Sequence, residues 1–119
     1  MQLVPREDVV RVVGLVVADL VSTTTWTEEE ATRFVWLGAE TLAEFEDDAG
    51  RFTWRLAGEV QQALHDQFLD TTWPTCPLHS QHPLWLNEED EGPWFWRCEK
   101  IRGPLAPLGG LETMHTSEG

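Results

Sequence analysis

Positive charge is scarce in this sequence of 119 residues. It has 8 Lys and Arg residues and 21 Asp and Glu residues, which gives a formal net charge of −13 at pH 7. Nucleic-acid backbones and anionic membrane surfaces are themselves negative, so a chain of this charge repels both. We therefore expect no direct nucleic-acid binding, and we expect any protein partner to carry a basic surface.

Long hydrophobic runs are also missing, because no uninterrupted apolar segment approaches the roughly 20 residues that a membrane span needs. Residues 1–8 include Arg6, Glu7 and Asp8, and they lack the apolar core of a signal peptide. The two absences predict a cytoplasmic protein without a membrane partner.

Cysteine is the third scarcity, since Cys76 and Cys98 are too few for a disulfide-rich secreted scaffold. Hydrophobic residues make up 41% of the sequence and charged residues 24%, as in an ordinary globular domain, which excludes a disordered chain. The length fits one compact domain, and we expect residues 1–119 to form it.

The first of three predicted helices covers residues 5–21. Apolar residues recur there every three or four positions, and strict alternation is absent. That spacing favours a helix over a strand, although the many valines are β-branched and suit a strand as well. The apolar stripe consists of Val9, Val12, Val13, Val16, Val17 and Leu20.

Two further helices are predicted before residue 71. Thr27, followed three positions later by Glu30, forms a capping-box pattern that begins the second helix, and Gly50 is expected to end it as a left-handed cap. A third helix is expected over residues 52–70. The apolar stripe of the second helix is expected at Phe34, Leu37, Gly38, Thr41, Leu42 and Phe45, and that of the third at Leu56, Val60, Ala63 or Leu64, and Phe68.

A β-hairpin is predicted after the helices. The aromatic-rich runs at residues 84–87 and 94–98 are separated by acids, Gly and Pro, which is typical of two short strands joined by a polar turn. Alternation along the second run places Trp94, Trp96 and Cys98 on one face and Phe95 and Arg97 on the other.

The hairpin region also carries a metal-ligand pattern. Two residues separate Cys76 from His79, a spacing at which a tight turn directs both side chains at one ion. Cys98 ends the returning strand, so the hairpin brings it back to the same place. His82 offers a fourth ligand and completes the two-Cys, two-His tetrahedron that Zn²⁺ favours. We predict one structural zinc ion bound by these four side chains.

Other interpretations of these residues stay open from the sequence alone. Cys76 and Cys98 could form a disulfide, or they could be two unconnected buried thiols. His65 and Asp66, on the third helix, could supply a replacement ligand or a general base, although a His beside an Asp on a helix is usually a surface residue.

Tryptophan is plentiful, with seven residues in the chain. Trp85, Trp94 and Trp96 could form an exposed hairpin surface for a partner. We expect most of the tryptophans to fill the core instead, because a small domain has few other large apolar side chains.

The second half of the chain resembles a set of small uncharacterised bacterial proteins. These proteins have a helix, a W-P-x-C-P-x-H run, a His-Pro-Leu run, a hairpin, W-x-C and a final small-residue run. The resemblance implies a degenerate zinc-ribbon-like module that binds metal, and it implies no activity; Glu99 stands where many of these sequences have proline. The matching residues are Trp73, Pro74, Cys76, Pro77, His79, His82, Pro83, Leu84, Trp96, Cys98, Gly109, Gly110 and Leu111.

The expected fold is mainly α with a small β-hairpin. Residues 1–72 are expected to form a three-helix bundle and residues 73–111 the zinc-ribbon-like hairpin, with a tail at residues 112–119. Within the second part, residues 103–111 are expected to be irregular and to pack back on the hairpin.

The expected function is that of a small acidic zinc-binding protein, a non-enzymatic interaction or adaptor module. One alternative is a small zinc enzyme in which Cys76, His79 and Cys98 hold the ion, water fills the fourth position, and Glu99 or His65 is the base. Another alternative is an acidic decoy that imitates nucleic acid through its clusters of Asp and Glu.

Overall fold

A computed structural model describes residues 3–66, 73–76, 83–86, 94–98 and 104–112. The described residues form a mainly helical domain with a small antiparallel sheet of three strands, in the order β1-β2-β3. Within this part of the chain, no helix has the length and apolar character needed to cross a membrane. The elements are α1 (Arg6–Thr23), α2 (Glu28–Ala43), α3 (Ala49–Asp66), β1 (Trp85–Leu86), β2 (Phe95–Arg97) and β3 (Pro104–Pro107).

Helix α1 confirms the predicted helix and its apolar stripe. All six stripe residues, from Val9 to Leu20, are buried in the core. Pro5 immediately precedes the helix with an extended ψ of 143°, and its carbonyl oxygen accepts the first helical hydrogen bonds. The fixed φ of proline therefore sets the entry of the chain into α1.

Helix α2 begins with the predicted capping box. The Thr27 hydroxyl accepts a hydrogen bond from the Glu30 backbone N–H at 3.1 Å, and the Glu30 carboxylate accepts one from the Thr27 N–H at 3.1 Å. These reciprocal bonds satisfy two backbone donors that the helix itself leaves without partners.

The predicted apolar face of α2 was half right, because Leu42 is buried and Phe34 and Gly38 are partly buried, whereas Leu37, Thr41 and Phe45 are exposed. The side chains of Leu37 and Phe45 are 69% and 74% exposed. The buried face carries two alanines, whose small side chains let neighbouring helices approach closely. The buried residues of α2 are Ala31, Val35, Ala39 and Leu42.

The junction between α2 and α3 also differs from the prediction. Helix α2 ends at Ala43, and Gly50 lies inside α3 instead of capping α2. The Asp48 carboxylate accepts a hydrogen bond from the Gly50 N–H at 2.9 Å, so this acidic side chain caps the N-terminus of α3. In α3, Leu56, Val60 and Leu64 are buried as predicted, and Phe68 lies outside the described residues.

The sheet confirms the predicted strand pair and adds a third strand. Trp85 of β1 pairs with Arg97 of β2, and along β2 the buried Trp96 alternates with the exposed Arg97. Residues 104–107, expected to be irregular, instead form β3 and pair with β2. The sequence did not predict this strand because it contains Pro104 and Pro107. Proline lacks a backbone N–H and is tolerated on an edge strand such as β3.

Candidate metal centre

Residues 73–76, 83–86 and 94–98 form a small antiparallel layer. Cys76 and Cys98 lie at the same end of it. Thr75 forms a β-bridge with Pro83, and the Leu84 N–H donates to the Pro74 carbonyl oxygen at 2.6 Å. The chain before Cys76 therefore runs antiparallel to the segment that leads into β1. Because β2 is antiparallel to β1 and Cys98 follows its last residue, Cys98 lies at the end of the layer where Cys76 also lies.

Both cysteine side chains are buried, with exposed fractions of 0% for Cys76 and 3% for Cys98. In the part of the chain that the structure describes, both residues are thiols and no disulfide joins them. A buried thiol packs like a small apolar side chain, and a buried thiolate requires a metal or a positive charge beside it. The sulfur chemistry of this end of the layer thus fits a soft metal ion such as zinc.

The two predicted histidine ligands, His79 and His82, lie outside the described residues. Within the described ranges, no group of three or more His, Cys, Asp or Glu residues is positioned to bind a metal ion. The structure thus brings two of the four predicted ligands to one end of the layer, and the complete ligand set stays a prediction.

Side chains from the helices fix this layer to the bundle. The Gln61 side-chain amide, on α3, donates to the carbonyl oxygens of Trp73 at 3.2 Å and Leu84 at 2.7 Å. The Trp73 indole N–H donates to the Thr23 hydroxyl of α1 at 2.8 Å. Trp73 and Trp96 contact each other edge to face, with ring centroids 5.7 Å apart. The backbone at Trp73 and Leu84, in the segments that lead to Cys76 and to β1, is therefore fastened to the helices.

Asp19 is a functional candidate that the sequence reasoning missed. Its carboxyl group is fully buried and accepts three hydrogen bonds. One comes from the Trp96 indole at 2.8 Å, and two come from the backbone N–H groups of Gly109 at 2.7 Å and Leu111 at 3.0 Å. The available signal was its spacing, since Asp19 follows the buried Val16 by three positions and so falls on the buried side of α1.

The environment of Asp19 changes its acidity. Burial raises the pKa of Asp19 above its ordinary value of 3.8, and the hydrogen bonds from Trp96, Leu111 and Gly109 oppose that rise. Desolvation dominates because the carboxylate form loses the stabilisation that water gives a charge. The group fastens α1 to β2 and to the segment after β3, so we assign it a structural role.

His65 and the tryptophans complete the list of sequence candidates. His65 is exposed on α3, and its Nδ1 lies 3.8 Å from a carboxylate oxygen of Asp66. Trp73 and Trp96 are buried in the core, whereas Trp54 and Trp85 are exposed. The remaining tryptophans, Trp26, Trp36 and Trp94, are partly buried against the core.

No protein-family model, curated protein or solved structure matches this chain. Nothing known of another protein therefore transfers to it through these comparisons. Its function has to be inferred from its own side chains and their arrangement.

Proposed function

We propose that this chain is a small zinc-binding protein that acts as an interaction module, with one structural zinc ion bound by Cys76, His79, His82 and Cys98. The observation that carries the proposal is the burial of both cysteines at one end of the antiparallel layer. In the sequence, His79 and His82 lie between Cys76 and Pro83, which are both at that end of the layer. The module is a degenerate zinc ribbon in this proposal.

The small size of the sheet supports a structural role for the ion. Strands β1 and β2 have two and three residues, so the sheet depends on β3 and on packing against the helices for its stability. Structural zinc contributes on the order of 10 kcal/mol to small modules, which is more than a few strand contacts supply. The ion would tie the segment containing Cys76 to the end of β2.

The charge of the surface supports a basic protein partner. The carboxylates of Glu28, Glu29 and Glu30 are exposed at the start of α2, and Glu40 and Glu44 are exposed further along the chain. With a net charge of −13, the protein attracts positively charged surfaces. We place it in the cytoplasm, where a reducing environment keeps both thiols available as ligands.

Removal of the metal tests the structural role. Purified protein is heated with and without a strong zinc chelator, and unfolding is followed by circular dichroism. We expect the chelator to lower Tm by at least 10 °C, about 2 kcal/mol for a domain of this size. His115→Ala, in the C-terminal tail, should respond to the chelator like the wild type, and Cys98→Ser should not respond. Equal Tm values with and without chelator would contradict a structural ion.

His82→Ala separates the proposed function from a zinc enzyme. A closed site loses a ligand in this variant, so its zinc affinity should fall at least about tenfold. Unchanged affinity would indicate that water occupies the fourth position, as a zinc enzyme requires. The measurement is a competition titration against a chromogenic zinc chelator.

A further inference from the structure

An open groove runs between α1 and α2 on the outside of the helical bundle. Its volume is about 550 Å³, and its lining is mostly apolar. Val13 and Val17 are nearly buried in its floor, and Val10 is 50% exposed at its edge. Trp36 of α2 lines it on the opposite side.

The shape of the groove suits an α-helix. Lining residues on α1 extend from Val10 to Ser22, which is a little over three helical turns or about 18 Å. Gly14 and Ala18 are exposed along this line, and a β-carbon added at Gly14 would meet no atom within 4 Å. Such small residues let the backbone of a second helix approach closely, with its apolar side chains set at positions i, i+4 and i+7.

The charge of the groove selects among helices. Among the described lining residues, the charged ones are Glu28 of α2 and Glu112 after β3, and both are acidic and exposed. The backbone N–H of Leu111 is bonded to Asp19, which places the chain before Glu112 beside the second half of α1. At the Trp36 side of the groove, the Arg6 guanidinium lies over the indole ring, 4.8 Å from its centroid. A helix with Lys or Arg where its apolar stripe passes Glu28 and Glu112 is complementary to these two carboxylates, and an acidic helix is repelled by them.

We infer that the groove between α1 and α2 binds an amphipathic, positively charged α-helix of a partner protein. This inference rests on the proposed function as an interaction module, and it names the surface and the chemistry of the partner. None of the described groove-lining residues is one of the four predicted zinc ligands.

A synthetic peptide serves as the probe. It has about 15 residues, with Leu and Ala on one helical face, Lys on the flanks and a fluorescein label. Its binding is measured by fluorescence anisotropy at low salt and again at physiological salt. A peptide with Glu in place of every Lys and a scrambled peptide of the same composition are the comparison probes. We expect the helical Lys peptide to bind at least about tenfold more tightly than either comparison probe.

Two glycine variants form a matched pair. Gly14→Leu fills the groove, and Gly58→Leu places the same side chain on α3, where an added β-carbon also meets no atom within 4 Å. We expect Gly14→Leu to weaken peptide binding at least about tenfold and Gly58→Leu to leave it within about twofold. Equal binding by wild type and Gly14→Leu, or equal binding of the Lys and Glu peptides, would overturn the inference.

A second pair of variants, each of which removes one negative charge, tests the electrostatic part of the inference. Glu28→Gln should weaken binding by about threefold at low salt, whereas Glu40→Gln, exposed on α2 outside the groove, should not. A wild-type dimer that Gly14→Leu converts to a monomer would identify a second copy of the chain as the occupant and overturn the inference. The zinc content of each variant is measured in parallel, so loss of peptide binding by Gly14→Leu with full zinc content is attributed to the groove and not to the metal site. Failure of the zinc-replete wild type to bind the Lys peptide would overturn the groove inference and leave the proposed zinc site standing.

Discussion

Trp96 donates its indole N–H to a carboxylate oxygen of Asp19 across 2.8 Å, although 77 residues separate them in the sequence. Both side chains are fully buried. The bond joins the first helix to the central strand of the sheet, and the backbone N–H groups of Gly109 and Leu111 join the same carboxyl group. A buried polar group costs free energy unless it is fully hydrogen-bonded, so this cluster fixes how the sheet sits on α1.

Trp96→Phe should destabilise the protein by about 2–4 kcal/mol. The substitution removes the indole donor and leaves a buried carboxyl group with two hydrogen bonds, which costs about 1.5–3 kcal/mol, and the smaller ring adds a packing loss. Urea unfolding followed by circular dichroism measures the change. Trp54→Phe, on the exposed side of α3, is the control and should change stability by less than about 0.5 kcal/mol. Similar values for the two variants would contradict the role of the bond.

The pH dependence of stability should carry the signature of Asp19. Because burial raises the pKa of Asp19 above 3.8 in the folded state, the native protein binds this proton more tightly than the unfolded chain does. Its contribution to the free energy of unfolding is therefore largest below the unfolded pKa, and it falls as pH rises through the raised pKa.

Asp19→Asn isolates this contribution. Free energies of unfolding are measured from about pH 3 to about pH 7, and the wild-type value minus the variant value should decrease as pH rises and then level off. Hydrogen bonds from the Thr27 backbone and side chain lower the pKa of Glu30, which changes stability with pH in the opposite direction. This contribution is the same in the wild type and in Asp19→Asn, so it cancels in the difference. A difference that increases with pH would show that the hydrogen bonds outweigh burial at Asp19.

Gly109→Ala should destabilise the protein by about 1–3 kcal/mol. Gly109 has a φ of +89°, and an added β-carbon would lie 2.5 Å from Cδ2 of Leu15. Gly58→Ala, inside α3 and without a neighbour at that position, should instead stabilise the protein by about 0.5–1 kcal/mol. Thermal unfolding of both variants measures the two changes, and a common sign would contradict this description of the turn.

Thr27→Ala should cost about 1 kcal/mol, because α2 loses the side-chain half of its capping box. Thr25→Ala removes an exposed hydroxyl two residues earlier and should change stability by less than about 0.5 kcal/mol. Urea unfolding of the two variants gives the comparison. A loss at position 25 as large as that at position 27 would argue against the cap.

Elements with a strong local signal could be predicted from the sequence, and elements that depend on distant partners could not. The valine spacing of α1 and the Thr27–Glu30 cap are local, and both predictions were confirmed. The predicted face of α2 was wrong in part, because two apolar faces compete there and packing against neighbouring helices selects the one that carries the alanines. Strand β3 was missed because its prolines argue against a strand unless that strand lies at the edge of the sheet, and the sequence does not show which strand is at the edge.

The candidate site also combines features that the sequence pattern predicts with features that depend on distant partners. The hairpin pattern predicted that Cys98 returns toward Cys76, and the described strands place both residues at one end of the layer. The partners of Asp19 lie 77 to 92 residues away, and no local pattern in the sequence specifies them. His79 and His82 as ligands stay predictions.

The zinc content of the purified protein tests the central claim most directly. Protein prepared without chelator and with reductant present is measured by elemental analysis against its concentration from amino-acid analysis. The proposal predicts one zinc ion per chain in the wild type and none in the Cys76→Ser, Cys98→Ser double variant. Wild-type protein that carries no zinc and takes up none from a zinc-containing buffer would contradict it.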